Sequence, residues 1–293
     1  MKVLLLGSNG MLGQALKKQL KSDGMKLYGV DRENADFCFD LLNDGKIKDC
    51  MKAVRPDVLI NTAAIINLDL CEKDPGAAYC LNSRLPGVLA DLCSRNSCYF
   101  VHISTDQYYS GDTDKIHKET DPVSLVNEYA RTKYIGEQMA LTCKDALVLR
   151  TNIVGFRGSG QKTFLEWAVS EAENHRQMTL FTDFYTSSIH TVDFSKVLSD
   201  LLKIHPAGIY NLASSEVASK KEFILGLTRE LFHTELDYID GSVKNIHGTP
   251  RGESLGLDTG KIEKLLGYSM PDLAETLKSI KTEYEERKKR NEL

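Results

Sequence analysis

Tyr129 and Lys133 stand four residues apart in the run Tyr129-Ala130-Arg131-Thr132-Lys133. On a helix that spacing puts a phenol and an ammonium on one face, where the cation lowers the phenol's pKa and makes it a usable acid near neutral pH. A plain amphipathic helix carries the same spacing, so the pair needs company. Ser104-Thr105-Asp106 directly follows the apolar run Tyr99–Ile103. A hydroxyl at the carboxyl end of a strand in an open α/β sheet reaches a ligand's carbonyl, although the same residue types also cap turns. The third signal is Gly7-Ser8-Asn9-Gly10-Met11-Leu12-Gly13, between a strand-like run and a helical one. Its glycines permit a tight turn and close backbone approach, so that helix N–H groups face a pyrophosphate. Asp31 ends the next strand-like run, eighteen residues beyond Gly13, where a carboxylate accepts from ribose hydroxyls and disfavours a 2′-phosphate. Arg32 beside it would pair with that phosphate, so the two neighbours pull the choice between NAD and NADP in opposite directions.

Such residues meet only if a parallel sheet gathers them. Short aliphatic runs alternate with helical stretches through the first half, the pattern of βαβ units. Strands are predicted at Lys2–Leu6, Met25–Val30, Asp57–Asn61, Tyr99–Ile103 and Ala146–Arg150, with helices at Met11–Leu20, Ile47–Val54, Ala77–Asn96 and Glu128–Leu141. Pro86 should start or kink a helix rather than sit inside one. Past Arg150 the alternation loosens into helices at Lys162–Glu173, Val192–Ile204 and Lys220–Phe232 and strands at Met178–Phe181 and Gly208–Leu212. The expected organisation is a dinucleotide-binding domain over residues 1–150 and a substrate-binding lobe over 151–293, part of which returns to the sheet. The charge-rich stretch Ala274–Arg290 reads as a solvated helix face or frayed tail.

Composition narrows the class. With 293 residues, 42% of them hydrophobic, and a net charge of −4, the chain has a large core and no broad electrostatic attraction to nucleic acid. No apolar run nears the roughly 20 residues of a membrane span, and Val3–Leu6 is short for a signal-peptide core. Seven scattered cysteines without a C-x-x-C pair read as reduced thiols. A soluble, unprocessed, cytoplasmic protein is expected. His102 reads as a core residue, His190 as a pocket candidate and Trp167 as packing.

Taken in this order and at these distances, the glycine loop, Ser104-Thr105-Asp106 and Tyr129 with Lys133 resemble the extended short-chain dehydrogenase/reductase superfamily, nearest its dTDP-4-dehydrorhamnose reductase family. The likeness runs on through Pro56 to Ala64, Leu81-Asn82, Gly136-Glu137, Leu149-Arg150-Thr151 and Leu257-Asp258-Thr259. It implies an α/β fold, a Rossmann-type doubly wound parallel sheet with a smaller C-terminal substrate-binding lobe. It also implies an enzyme that uses NADP(H) or NAD(H) to reduce the 4-keto group of a nucleotide-linked deoxy sugar. The cofactor would lie along the glycine loop, Asp31 and Arg32, and further on Asp40, Leu41, Ala63, Ala64, Asn82 and Ser104. Thr105 and Tyr129 would bind the keto oxygen, with Tyr129 donating the proton, and Lys133 would hold the nicotinamide ribose.

Departures from the family fall on the substrate side. Gln107-Tyr108-Tyr109 and Asn152-Ile153 replace the family's residues, and a paired arginine before proline is reduced to Pro250-Arg251-Gly252. Substrate contacts are therefore assigned to Thr105, Asp106, Gln107, Tyr108, Asn152 and Arg251. Gln14 and Ala15 follow Gly13 where some members hold Mg²⁺ with an acid, so no metal is expected. Two other readings stand beside the reductase. A sugar-nucleotide dehydratase or epimerase would share the fold, but dehydratases use a Glu where Gln107 stands, and an amide is no base. A non-catalytic subunit like the beta subunit of methionine adenosyltransferase would share it too. A homodimer is the assembly carried as an expectation.

Overall fold

The computed structural model describes residues 1–111, 116–158, 160–233 and 236–292. Seven strands form one sheet in the order Gly208–Asn211, Ala146–Arg150, Tyr99–Ile103, Val58–Asn61, Lys2–Leu6, Lys26–Asp31, Phe37–Cys38. Every described pairing between neighbours in it is parallel. The chain starts at Lys2–Leu6, builds outward to Phe37–Cys38, then crosses to Val58–Asn61 on the other side of its first strand. That reversal is the switch point at which ligands bind beyond the carboxyl ends of the strands.

Strands buried on both faces explain the near-continuous apolar runs. Leu4, Leu6, Leu59, Phe100 and Val148 share one core cluster with Ile47, Met51 and Val54 of the helix Asp44–Val54 and with Leu85, Leu89 and Cys93 of the helix Leu85–Asn96. The alternate residues Val3, Leu5, Ile60, Val101 and Leu147 are equally buried. Lys2–Leu6, Tyr99–Ile103, Ala146–Arg150 and Met178–Phe181 have the expected bounds, and the strands Lys26–Asp31, Val58–Asn61 and Gly208–Asn211 differ by a residue at an end. The long helix expected over Ala77–Asn96 is broken: Pro75–Tyr79 runs into a π turn at Cys80–Arg84, and Leu85–Asn96 starts afresh with Pro86 in its first turn. Proline lacks the N–H that an interior turn needs, and a first turn does not use it.

The chain divides into two compact units. Residues 1–108, 125–150 and 195–210 make the first, which holds the sheet, and 109–124, 151–194 and 211–293 make the second. Arg150 is one crossing point, and two shorter segments are exchanged between the halves. In the second unit the helices Phe164–Glu173, Lys220–Phe232 and Leu273–Arg290 pack around Phe156, Met178 and Leu180. The charge run Glu285 to Arg290 is the solvated end of the helix Leu273–Arg290, as expected, and the earlier turns of that helix are anchored. Leu277, Ile280 and Tyr284 recur at helical spacing and are buried, and a capping box at Asp272 and Glu275 closes its start.

Candidate active site

The first helix, Met11–Ser22, begins at Gly10 with no side-chain cap and no acid in its first turn. By contrast, helices starting after Asn43, Asn67, Asn127 and Thr163 each have a side chain accepting from their first N–H groups. Open N–H groups and the positive end of the helix dipole are what an anion requires. The glycines make room for it. Gly7 has φ +76°, and a Cβ on Gly13 would lie 2.2 Å from the Gly7 carbonyl oxygen, so the turn closes only without side chains at those positions. Ser8 is wholly buried with an unpartnered hydroxyl among the described residues. These features fit a bound dinucleotide pyrophosphate.

Asp31 sits half-buried at the end of its strand, with one carboxylate oxygen accepting from Asn9 N at 2.8 Å and the other from Arg32 N at 2.8 Å. Each oxygen keeps a lone pair for a ribose hydroxyl. Arg32 is exposed. Asp31→Ala is expected to weaken NADH binding about ten- to hundredfold, corresponding to about 1.5–3 kcal/mol for hydrogen bonds to a charged acceptor. NADPH should lose less, because the same change removes a charge that opposes its phosphate. Titration of both cofactors by fluorescence checks this, and equal losses would move Asp31 away from the ribose.

Thr105 and Tyr129 come together although 24 residues separate them. Ser104 N donates to Leu149 O at 2.7 Å, holding Ser104-Thr105-Asp106 at the strand end, where all three side chains are buried. The helix Glu128–Ala140 is capped by Asn127, whose side chain accepts from Ala130 N, and it turns Tyr129, Lys133 and Glu137 inward together. Lys133 Nζ donates to Ile103 O at 2.6 Å, which fastens the helix to the same strand end.

Electrostatics here differ from the expected cation-lowered phenol. Burial pushes the Tyr129 hydroxyl above its ordinary pKa, while a hydrogen bond with Thr105 pulls it back in part. Burial also draws the Lys133 ammonium down to about 8, against the charge of Glu137, which raises it. Desolvation disfavours the charged form of each, and it outweighs any help the cation gives the phenol. Tyr129 thus stays protonated as a proton donor. If the ammonium is needed, kcat/KM should be level below pH 8 and fall about tenfold per unit above it, because the cation is lost as pH rises through about 8. A profile level to pH 10 would remove Lys133's charge from the reaction.

Three of the assigned residues are buried among protein partners. Tyr108 is fully buried, its ring 5.1 Å from the Arg150 guanidinium and its hydroxyl 2.8 Å from Ser104 Oγ, so it braces the strand end. Asn82 is fully buried, and its amide clamps both Ile65 N (2.8 Å) and Ile65 O (2.9 Å). It shapes the loop after Val58–Asn61. Leu41 is a core residue packed with Ile47 and Met51.

Ser104's hydroxyl is bound to Glu137 and Tyr108, leaving it no proton to donate to a ligand. Of the other cofactor candidates, Met11 is half-buried, Leu12 is buried, and Asp40 is exposed and accepts from Leu42 N. Ala63 and Ala64 are half-buried in the loop that Asn82 shapes, with Ala63 N donating to Asn61. Gln107 is half-buried, its amide donating to Asp106 at 3.1 Å. Asn152 and Arg251 belong to the second unit, where Asn152 accepts from Ser188 Oγ and Arg251 is exposed. His190, also there, bridges Ser279 and Glu283 of the C-terminal helix. His102 accepts from Asn61 and is held neutral by burial. Sequence reasoning assigned no role to Glu137 or Arg150, although both stand in the quoted motif blocks. Among the described residues no His, Cys, Asp or Glu side chains gather as a metal-ligand set, and no helix is long and apolar enough to cross a membrane.

A doubly wound parallel sheet, an open glycine-loop helix start at its switch point and a Thr105–Tyr129–Lys133 cluster at a strand end define a Rossmann-type protein of the extended short-chain dehydrogenase/reductase kind. The chain belongs to the family described as the RmlD substrate binding domain, whose model matches residues 1–286. It is 30% identical over 230 residues to the spore coat polysaccharide biosynthesis protein SpsK of Bacillus subtilis, covering 78% of this chain and 79% of that one. To the dTDP-4-dehydrorhamnose reductase of Salmonella typhimurium it is 26% identical over 298 residues, 97% of this chain and 98% of the relative. The solved dTDP-4-dehydrorhamnose reductase of Bacillus anthracis, in complex with NADP, superposes with a TM-score of 0.87 at 21% identity, over 96% of this chain and 99% of that one.

Proposed function

We propose that this protein is an NAD(P)H-dependent reductase of the 4-keto group of a nucleotide-linked deoxy sugar. The observation that carries the reading is the buried Thr105–Tyr129–Lys133 cluster in the same unit as the uncapped glycine-loop helix, in a chain of this family. A bound NAD(P)H supplies the hydride. Gly7, Gly10 and Gly13 let the backbone approach its pyrophosphate, and Asp31 faces its ribose. Thr105 and Tyr129 hold the keto oxygen, and Tyr129, kept protonated by burial, gives it a proton. Lys133 keeps its charge below about pH 8 and orients the ribose. Gln107 carries no titratable carboxyl beside this group, which favours reduction over dehydration. Asp106, Asn152 and Arg251 remain the candidates for reading the sugar and nucleotide. We place the enzyme in the cytoplasm as a homodimer, the latter on the exposed apolar side chains Ile135 and Met139 of the catalytic helix.

The test is purified protein with NADPH or NADH and a panel of nucleotide-linked 4-keto sugars, followed at 340 nm and by mass spectrometry. Cofactor oxidation matched by gain of two hydrogens in the sugar is expected. Loss of water from a nucleotide hexose without net cofactor oxidation would overturn the assignment, and inactivity with every sugar would favour the non-catalytic subunit.

A further inference from the structure

Behind the cluster lies a buried ionic network that the reaction as described does not use. Glu137 stands one helical turn beyond Lys133 and two beyond Tyr129, and its side chain is wholly buried. Both its oxygens are occupied. Arg150 Nη2 donates to Oε1 at 2.7 Å, Arg150 Nε donates to Oε2 at 3.0 Å, and Ser104 Oγ donates to Oε2 at 3.0 Å. A carboxylate paired with arginine only accepts, so the Ser104 hydroxyl must donate to it. Ser104 Oγ, 2.8 Å from the Tyr108 hydroxyl, must then accept from Tyr108. Every proton in the chain from Tyr108 through Ser104 to Glu137 therefore has one direction. The Tyr108 ring is held from two sides, by the Arg150 guanidinium and by the edge contact of Tyr134 at 5.6 Å.

This network meets the cluster at two consecutive residues. Lys133 Nζ donates to the carbonyl of Ile103, and the next residue, Ser104, donates to Glu137. Two side chains one turn apart on the helix thus grip adjacent residues of the strand end, and Thr105 is the residue that follows. A slip of the helix along the strand would break both bonds and change the distance between Thr105 and Tyr129.

We propose that Glu137 is a positioning residue of the active site, which with Arg150 and Ser104 sets the register of the catalytic helix on the strand end and keeps Lys133 charged. A replacement of the ion pair by apolar groups would be stable enough for folding alone. What it would lack is a negative charge next to Lys133. Among the described residues, Glu137 on its own helix and His102 on the strand Tyr99–Ile103 interact electrostatically with Lys133, and Tyr129 stands one turn before it. Burial holds His102 neutral and Tyr129 protonated, so neither opposes its loss of charge. Arg150, beyond Glu137, adds repulsion once the carboxylate is gone.

The proposal rests on the reductase reading for the roles of Tyr129 and Lys133, but its decisive measurement needs no turnover. Lysine labelled at Cε is titrated by NMR in the free protein, with Lys133→Met identifying the resonance. The midpoint is expected near 8 in the unaltered protein. Glu137→Gln should lower it by about one unit or more, the usual effect of removing an adjacent opposite charge. Because that variant removes the carboxylate that Arg150 pairs with in the interior, the double variant Glu137→Gln/Arg150→Met, in which both charges are removed, decides the matter if the single one fails to fold. Ser104→Ala keeps the charge and loosens the grip on the strand, so it should leave the midpoint in place and lower kcat. An unmoved Lys133 midpoint in the double variant, whatever its melting temperature, would overturn the proposal and make Glu137 a structural residue only. If the midpoint falls while no keto sugar is turned over, the network stands and the reductase reading alone fails.

Discussion

Tyr129→Phe is expected to lower kcat about 10²–10⁴-fold, the cost of deleting a general acid, with cofactor affinity nearly unchanged. The ring stays packed: it lies in a small buried cluster with Cys71 and Ala78. The groups assigned to the cofactor are untouched by the change, since Gly7, Gly10, Gly13 and Asp31 lie on other elements and Lys133 keeps its bond to Ile103. Lys133→Met is the contrasting variant. It removes the ammonium assigned to the ribose and breaks the Ile103 bond, so both kcat and cofactor affinity should fall. Stopped-flow turnover and NADPH fluorescence titration measure the two separately. Weakened cofactor binding with normal turnover in Tyr129→Phe would make the phenol a positioning group. Unchanged turnover would remove it from the chemistry.

Gly136→Ala is expected to cost at least about 3 kcal/mol of stability, the upper part of the usual range for overpacking. A Cβ there would lie 1.9 Å from the Asn82 carbonyl oxygen, with Pro86 at 3.3 Å, and a backbone carbonyl in a π turn has no rotamer in which to escape. The helix Glu128–Ala140 would have to lift away from Cys80–Arg84. Asn82 also clamps Ile65, and Ser83 Oγ donates to Thr132 O, so the disturbance reaches the loop after Val58–Asn61 and the turn between Tyr129 and Lys133. The melting temperature should drop by about 6–12 °C and activity should fall with it. Gly45→Ala is the control. Gly45 lies exposed in the helix Asp44–Val54, and its Cβ would meet only the end of the Asn43 side chain at 3.3 Å. Removing backbone freedom from the unfolded chain should leave that variant unchanged or slightly more stable. Equal melting temperatures for Gly136→Ala and the unaltered protein would refute the close approach of helix and turn.

The parts of this protein legible in its sequence are those whose causes lie within a few residues. A strand buried on both faces must be apolar throughout, so Tyr99–Ile103 and Ala146–Arg150 could be bounded by composition. Gly7, Gly10 and Gly13 stand where the backbone alone can make the turn, and the four-residue step from Tyr129 to Lys133 puts both on one helix face before any packing is known. Tertiary structure decided what those side chains face. Tyr108 reads in sequence as a substrate contact because it follows the catalytic strand, and in the fold its ring meets Arg150 from another strand and its hydroxyl meets Ser104. Asn82 reads in sequence as a cofactor contact, and only the fold shows its amide clamping Ile65, seventeen residues earlier. The same holds for charge: spacing brings Lys133 to Tyr129, while burial, a property of the whole fold, sets the direction in which each pKa moves. Local spacing fixes which groups share a face, and only the packed interior fixes what water, charge and hydrogen bonds that face retains.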